Sequence, residues 1–245
     1  MSKKKSGLLG IINEMLSQST VLEVHGKRFI VKNYNSEQGI IKWFLIKAAG
    51  FTTKVYPYTM NPRERMVREI SFFEYINKII NTPRIYIKDW IGKIVVREYI
   101  EGETFDPASS LDEYYEIGGI LARIHLENYV LGDSKYYNFL KSNNKYYIVD
   151  GEQAIKSNDQ SYMYWDLFVF STTVIYGLID RYWNKALEHV NNVLKSFFNG
   201  YIDVDQKHGY RVLQQYSRFN YRALAYMLLP IPYNMQYIKI IESLI

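Results

Sequence analysis

Asp133, Asn138 and Asp150 stand in the stretch VLGDSKYYNFLKSNNKYYIVDGEQAI, Val130 to Ile155, with few other acids nearby. Two carboxylates and an amide suit a hard, oxygen-seeking cation such as magnesium, which usually keeps waters and phosphate oxygens among its ligands. That chemistry requires the three side chains to meet. Asn143-Asn144 supplies a way, because Asn tolerates the positive φ of a tight hairpin turn and strand-forming residues flank it on both sides. Pairing outward from that turn sets Asn138 opposite Val149, so Asp133, Asn138 and Asp150 gather at the open end of one hairpin. The plainer alternative is that Asp and Asn only cap strand ends.

Two charged residues upstream lie on apolar faces. STVLEVHGKRFIVKNY reads as two strands turning at His25-Gly26, which places Lys32 opposite Ser19 and on one face with Ile30 and Tyr34. A lysine there either snorkels from a sheet edge or reaches into a cleft. NPRERMVREISFFEYINKII reads as a helix with Asn61 as N-cap, Pro62 in the first turn and Glu64 placed to close a capping box. At about 100° per residue, Glu69 falls among Phe73, Ile76 and Ile80 and points inward, whereas Glu74 falls on the opposite face near Lys78. An inward carboxylate needs a cation to offset its desolvation, unless it stays wet near the helix start.

The 245 residues suffice for one large domain or two lobes. The absence of cysteine excludes disulfides and thiolate metal sites, and His25, His125, His189 and His208 are too scattered for a zinc cluster. A net charge of +5 is compatible with a nucleotide, an acidic partner or RNA. The 24 tyrosines could stack bases, but they are spread along the chain as core residues are. The basic start MSKKK meets Asn13 and Glu14 before any long apolar run, and LFVFSTTVIYGLI is shorter than the roughly 20 residues of a membrane helix. The expectation is a soluble, cytoplasmic protein without a membrane partner.

GKIVVREYIEGETF reads as a strand running into a linker at Glu101-Gly102, and SLDEYYEIGGILARIHLE as an amphipathic helix leading to the Asp133 hairpin. Strands, helix, strands, hinge, helix, hairpin and helices in this order resemble the protein-kinase-like superfamily over most of the chain, from about Ser17 to Asp203. Within it the likeness is to the minimal atypical kinases, the small kinase of the KEOPS tRNA-modification complex and the RIO kinases, and more distantly to lipopolysaccharide core heptose kinases. In such kinases a catalytic-loop Asp precedes an Asn by five residues, as Asp133 precedes Asn138, and a metal-binding Asp follows on the next strand, as Asp150 does. Lys32 and Glu69 match the strand lysine and helix glutamate, REYIEG the hinge, and LARIH the end of the helix before the catalytic loop.

The resemblance implies an α+β, two-lobed fold with a small β-rich N-lobe carrying one main helix (residues 1–100) and a mostly helical C-lobe (residues 101–245). It implies an ATP-dependent serine/threonine kinase using Mg2+ or Mn2+, with a protein substrate and, by resemblance alone, RNA or an RNA-modifying complex as partner. Lys32 would hold the α and β phosphates and Glu69 would orient Lys32. Asp133 would receive the hydroxyl proton, Lys135 would neutralise the transferring phosphoryl group, and Asn138 and Asp150 would bind metal. Glu98 and Ile100 would offer backbone groups to adenine, and Asp166 would hold the catalytic loop through backbone N–H groups.

The departures from the pattern are specific. Leu131 stands where the family usually has His or Tyr, and Asp-Phe-Gly reads Asp150-Gly151-Glu152. No glycine loop faces Lys32, so phosphate contacts would come from Ser17, Ser19 or nearby backbone N–H groups. Arg97 puts a charge at the back of the adenine pocket. Asp150 and Asp166 are only sixteen positions apart, too few for a full activation segment and peptide-docking platform. A small-molecule hydroxyl kinase and a catalytically silent scaffold therefore stand beside the protein kinase as alternatives.

Overall fold

The computed structural model describes residues 18–35 and 55–245. Strands β1 (Ser19–Val24) and β2 (Lys27–Asn33) turn at His25 and Gly26, whose φ values of 50° and 74° suit the tight reversal. Ser19 pairs with Lys32, the register expected from that turn. β3 (Ile85–Asp89) and β4 (Ile94–Glu98) complete an antiparallel sheet in the order β1-β2-β4-β3.

Helix α1 (Pro62–Ile76) joins the two cores of the molecule. Met66 and Ile70 pack with Tyr34 and Val95 of the sheet lobe, while Phe72, Phe73 and Ile76 enter the main core. Glu69 falls between Met66 and Ile70, within the stretch that faces the sheet. Asn61 caps α1 by accepting from the N–H groups of Arg63 (2.9 Å) and Glu64 (3.2 Å). The reciprocal half of the expected capping box is not made. Thr59 competes for it: its hydroxyl donates to the Glu64 carboxylate and accepts from Asn61 N–H. Glu74 likewise pairs with Lys88 of β3 rather than with Lys78, because the neighbouring strand brings a lysine across its face.

The second lobe opens with β5 (Glu103–Thr104) and α2 (Leu111–Leu126), the latter begun by a complete Ser110/Glu113 capping box. β6 (Tyr129–Val130), a 3-10 turn (Tyr136–Asn138), β7 (Phe139–Ser142), β8 (Lys145–Ile148) and β9 (Ile155–Lys156) carry the catalytic-looking segment. Asn143 and Asn144 take φ values of 49° and 57°, and Val149 N–H donates to Asn138 O at 3.0 Å, so the hairpin register is the expected one.

Helices α3 (Gln160–Tyr182), α4 (Ala186–Ile202), α5 (Gln206–Leu213), α6 (Phe219–Leu228) and α7 (Tyr233–Glu242) follow. α2 and α4 pack backbone to backbone: a Cβ on Gly118 would lie 2.0 Å from Phe197 O, and one on Gly200 2.0 Å from Tyr115 O. α3 corrects the expectation drawn from its apolar centre. Capped by Asp159 it runs 23 residues, long and apolar enough to cross a membrane by length and composition. Its Trp165, Phe168, Phe170, Val174 and Leu178 are instead buried in the main core. The arrangement is α+β, a four-stranded antiparallel sheet with one helix followed by a mostly helical region, and only β9 and short connections separate Asp150 from α3.

Candidate active site

Lys32 reaches the interior from β2, where strand alternation turns it to the same side as Tyr34. Its Nζ lies 2.6 Å from Glu69 Oε2, 2.9 Å from Asp150 Oδ1 and 3.3 Å from Glu152 Oε2. Arg97 Nη1 is 3.7 Å from the other Glu69 oxygen, and Arg65 Nη2 is 2.7 Å from Glu152 Oε2. Three cations thus face three carboxylates in a buried cluster. Burial alone would lower the Lys32 pKa, but Asp150, Glu69 and Glu152 outweigh it and hold the ammonium well above its ordinary value. Burial raises the Glu69 carboxyl, with Lys32 and Arg97 opposing. Asp150 is half-buried, and Lys32 keeps its carboxyl far below the usual range.

The loop before β7 is held from behind by Asp166 of α3. Its carboxylate accepts from Leu131 N–H and Gly132 N–H, both at 2.7 Å, and lies 3.0 Å from His125 Nε2. Leu131 therefore needs no polar side chain to fix this turn, because its backbone carries the bond. Tyr58 OH and Trp165 Nε1 both donate to Gly132 O, at 2.7 and 2.8 Å. On this scaffold Asn138 Nδ2 donates to Asp133 O at 2.7 Å, which leaves the Asn138 amide oxygen as the atom it offers a cation.

Asp133 is 8% exposed. Lys135 Nζ sits 2.9 Å from its Oδ2, whereas Oδ1 is buried with no hydrogen-bond partner among the described residues. Burial pushes the Asp133 carboxyl up to about 6, with Lys135 opposing and the negative charge of Asp150 adding to the rise. Asp133 and Asp150 are therefore near enough to feel each other. Burial would lower Lys135, but Asp133 raises it above its ordinary value.

A cleft of 190 Å3 adjoins this cluster at Arg97, lined by Ile30, Arg97, Glu98, Ile100, Leu140 and Val149 among others. Arg97 occupies its inner wall and donates to Val149 O. Glu98 N–H is committed to Arg84 O at 2.8 Å, so that group is not offered to a base. Glu98 and Ile100 are among the residues that line the cleft. Ser19 lies at the sheet edge opposite Lys32, and Ser17 falls outside the described residues.

Residue types alone concealed Glu152, which the departure from Asp-Phe-Gly marked only as an irregularity, together with Arg65 and Gln18. A signal for Arg65 existed: it lies four residues before Glu69, on the same inward helical face. The oxygens of Glu69, Asp150 and Glu152 lie within 4.8 Å of one another, a hard donor set that Lys32 shares. Asp150, held ionised, and the Asn138 amide oxygen fit Mg2+ or Mn2+ by donor chemistry.

No family model matches the sequence, and no curated protein matches it. Among solved structures the chain is similar to WaaP in complex with acyl carrier protein, at 13% identity and a TM-score of 0.38, covering 81% of this chain and 85% of that one. It is also similar to the Rio2 kinase–ADP/Mg2+–phosphoaspartate complex from Chaetomium thermophilum, at 12% identity and a TM-score of 0.43, covering 86% of this chain and 75% of that one.

Proposed function

We propose that this protein is an ATP- and divalent-metal-dependent phosphotransferase that moves the γ-phosphate to a serine or threonine hydroxyl of a protein. The observation that carries the proposal is Asp133 Oδ1, a buried acceptor with no hydrogen-bond partner among the described residues on a carboxyl that burial pushes up to about 6, beside a Lys32–Asp150 pair suited to phosphate and metal. Lys32 holds the α and β phosphates while Glu69 fixes its height. Asp150 and Asn138 would hold the metal ion, which would supply positive charge to offset that of the phosphate oxygens.

Asp133 Oδ1 accepts the acceptor's hydroxyl proton as that oxygen bonds to the γ-phosphorus and the bond to the β-phosphate oxygen breaks, releasing ADP. Lys135, held on Oδ2, presents a cation to the transferring phosphoryl group. The 190 Å3 cleft receives adenine between Ile30 and Leu140.

A second reading, transfer to a small-molecule hydroxyl, is favoured by an open cleft of 400 Å3 lined by Tyr136, Tyr137, Thr173, Tyr176, Gly177 and Asp180. Lys135 Nζ stands 5.6 Å from the Tyr137 ring centre, which ties this cleft to Asp133. Labelled γ-phosphate from ATP, followed with and without magnesium or manganese into generic protein acceptors and into a panel of polyols, separates the readings. Label in protein supports the first and label in polyol the second. No metal-dependent ATP turnover of any kind contradicts both.

A further inference from the structure

Glu152 stands where the family pattern places a glycine, and it is 7% exposed. Its Oε2 accepts from Gln18 Nε2 at 2.6 Å and from Arg65 Nη2 at 2.7 Å, with Lys32 Nζ at 3.3 Å. Arg65 is 2% exposed and its Nε and Nη1 have no hydrogen-bond partner among the described residues. A buried guanidinium in this position depends on its one carboxylate, since an uncompensated buried charge is strongly destabilising. The next residue grips the same helix end: Gln153 Oε1 accepts from Thr59 N–H and Gln153 Nε2 donates to Thr59 O, both at 3.0 Å.

Arg65 and Glu69 are one helical turn apart on α1. Whatever holds Arg65 therefore sets the height of Glu69 against Lys32. In many kinases that helix position is controlled by a phosphorylated activation loop; here the segment after Asp150 is too short to carry one.

We propose, resting on the phosphotransferase reading, that Glu152 is a positioning residue. Through Arg65 it locks α1 with Glu69 on Lys32, so the nucleotide site is assembled without a phosphorylation switch. The pair acts as a unit: loss of either charge leaves the other unbalanced, whereas loss of both removes the imbalance.

The test is a double-mutant cycle on the full chain with Glu152→Gln, Arg65→Met and the combination, plus Glu152→Asp as the charge-retaining variant. Two readouts are taken: amide hydrogen exchange across Pro62–Ile76 without nucleotide, and Mg-ATP affinity by titration. Each single substitution is expected to speed exchange in α1 and to weaken Mg-ATP binding about 10- to 100-fold, the usual range for a residue that orients a ligand-binding group. The double variant should be no worse than the worse single one, and Glu152→Asp should stay nearer wild type than Glu152→Gln. Unchanged exchange in α1, additive losses in the double variant, or an Asp variant as impaired as the Gln variant overturns the proposal. If the wild-type protein binds no Mg-ATP, the phosphotransferase reading falls, while the exchange cycle still decides whether Glu152 locks the helix.

Discussion

Around Lys32 the charges close on one another: Lys32, Arg65 and Arg97 each lie within 4 Å of at least one oxygen of Glu69, Asp150 or Glu152. Around Asp133 they do not, because Lys135 meets one carboxylate oxygen and the other is buried without a hydrogen-bond partner among the described residues. The first region is stabilised by mutual neutralisation of charge, although Glu69 Oε1, Arg97 Nε and Arg65 Nε and Nη1 lack hydrogen-bond partners among the described residues. The second carries an unmet acceptor, which costs stability and leaves an atom available to substrate. On the proposed phosphotransferase reading, the nucleotide side and the acceptor side thus divide rigidity from reactivity.

The comparison breaks most visibly at Lys32. Lys32→Met leaves buried carboxylates facing one another, and unfolding in denaturant should show a loss of about 3–5 kcal/mol. A loss below about 1 kcal/mol would mean that the cluster does not neutralise itself through this lysine.

Asp133→Asn should do the opposite to stability. The folded carboxyl ionises near pH 6, above the ordinary 3.8, so the folded state binds the proton more tightly than the unfolded state does. Stability then falls as pH rises between about 4 and 6, and the penalty persists above 6. At pH 7 the Asn variant should therefore be more stable than wild type by about 3 kcal/mol, a difference that vanishes below pH 4. A less stable variant at pH 7 would show that the Asp133 charge is better compensated than its open oxygen implies.

The smallest effect is on rate. Because Asp133 must be ionised to take a proton, transfer should rise about tenfold from pH 5 to pH 7 and level off above. A flat profile through pH 6, measured with metal and ATP saturating, would remove Asp133 from the role of base.

Much of this site was legible because short-range geometry decides it. Asn143-Asn144 and His25-Gly26 fix two hairpin registers, and those registers alone set Asn138 opposite Val149 and Lys32 opposite Ser19. Helical periodicity then turned Glu69 inward. What escaped depends on contacts distant in sequence. Glu152 meets Arg65 across 87 positions and Gln18 across 134, distances over which periodicity says nothing. Glu74 turned to Lys88 because a strand packed beside the helix, and Glu64 was drawn to Thr59 by a bend that precedes the helix. The full length of α3 was hidden because the sequence QSYMYW preceding its apolar centre mixes polar and aromatic residues.

The most direct measurement splits binding from transfer in Asp133→Asn and Asp150→Asn, using thermal stabilisation by Mg-ATP beside a γ-phosphate transfer assay. Asp133→Asn should keep nearly full Mg-ATP stabilisation while transfer falls about 10²- to 10⁴-fold, the worth of a positioned general base. Asp150→Asn should lose metal-dependent stabilisation and transfer together, since it removes a carboxylate from the metal site. A wild-type protein with neither stabilisation nor transfer, and two silent substitutions, would contradict the account and leave Asp133, Asn138 and Asp150 as residues that only shape a hairpin.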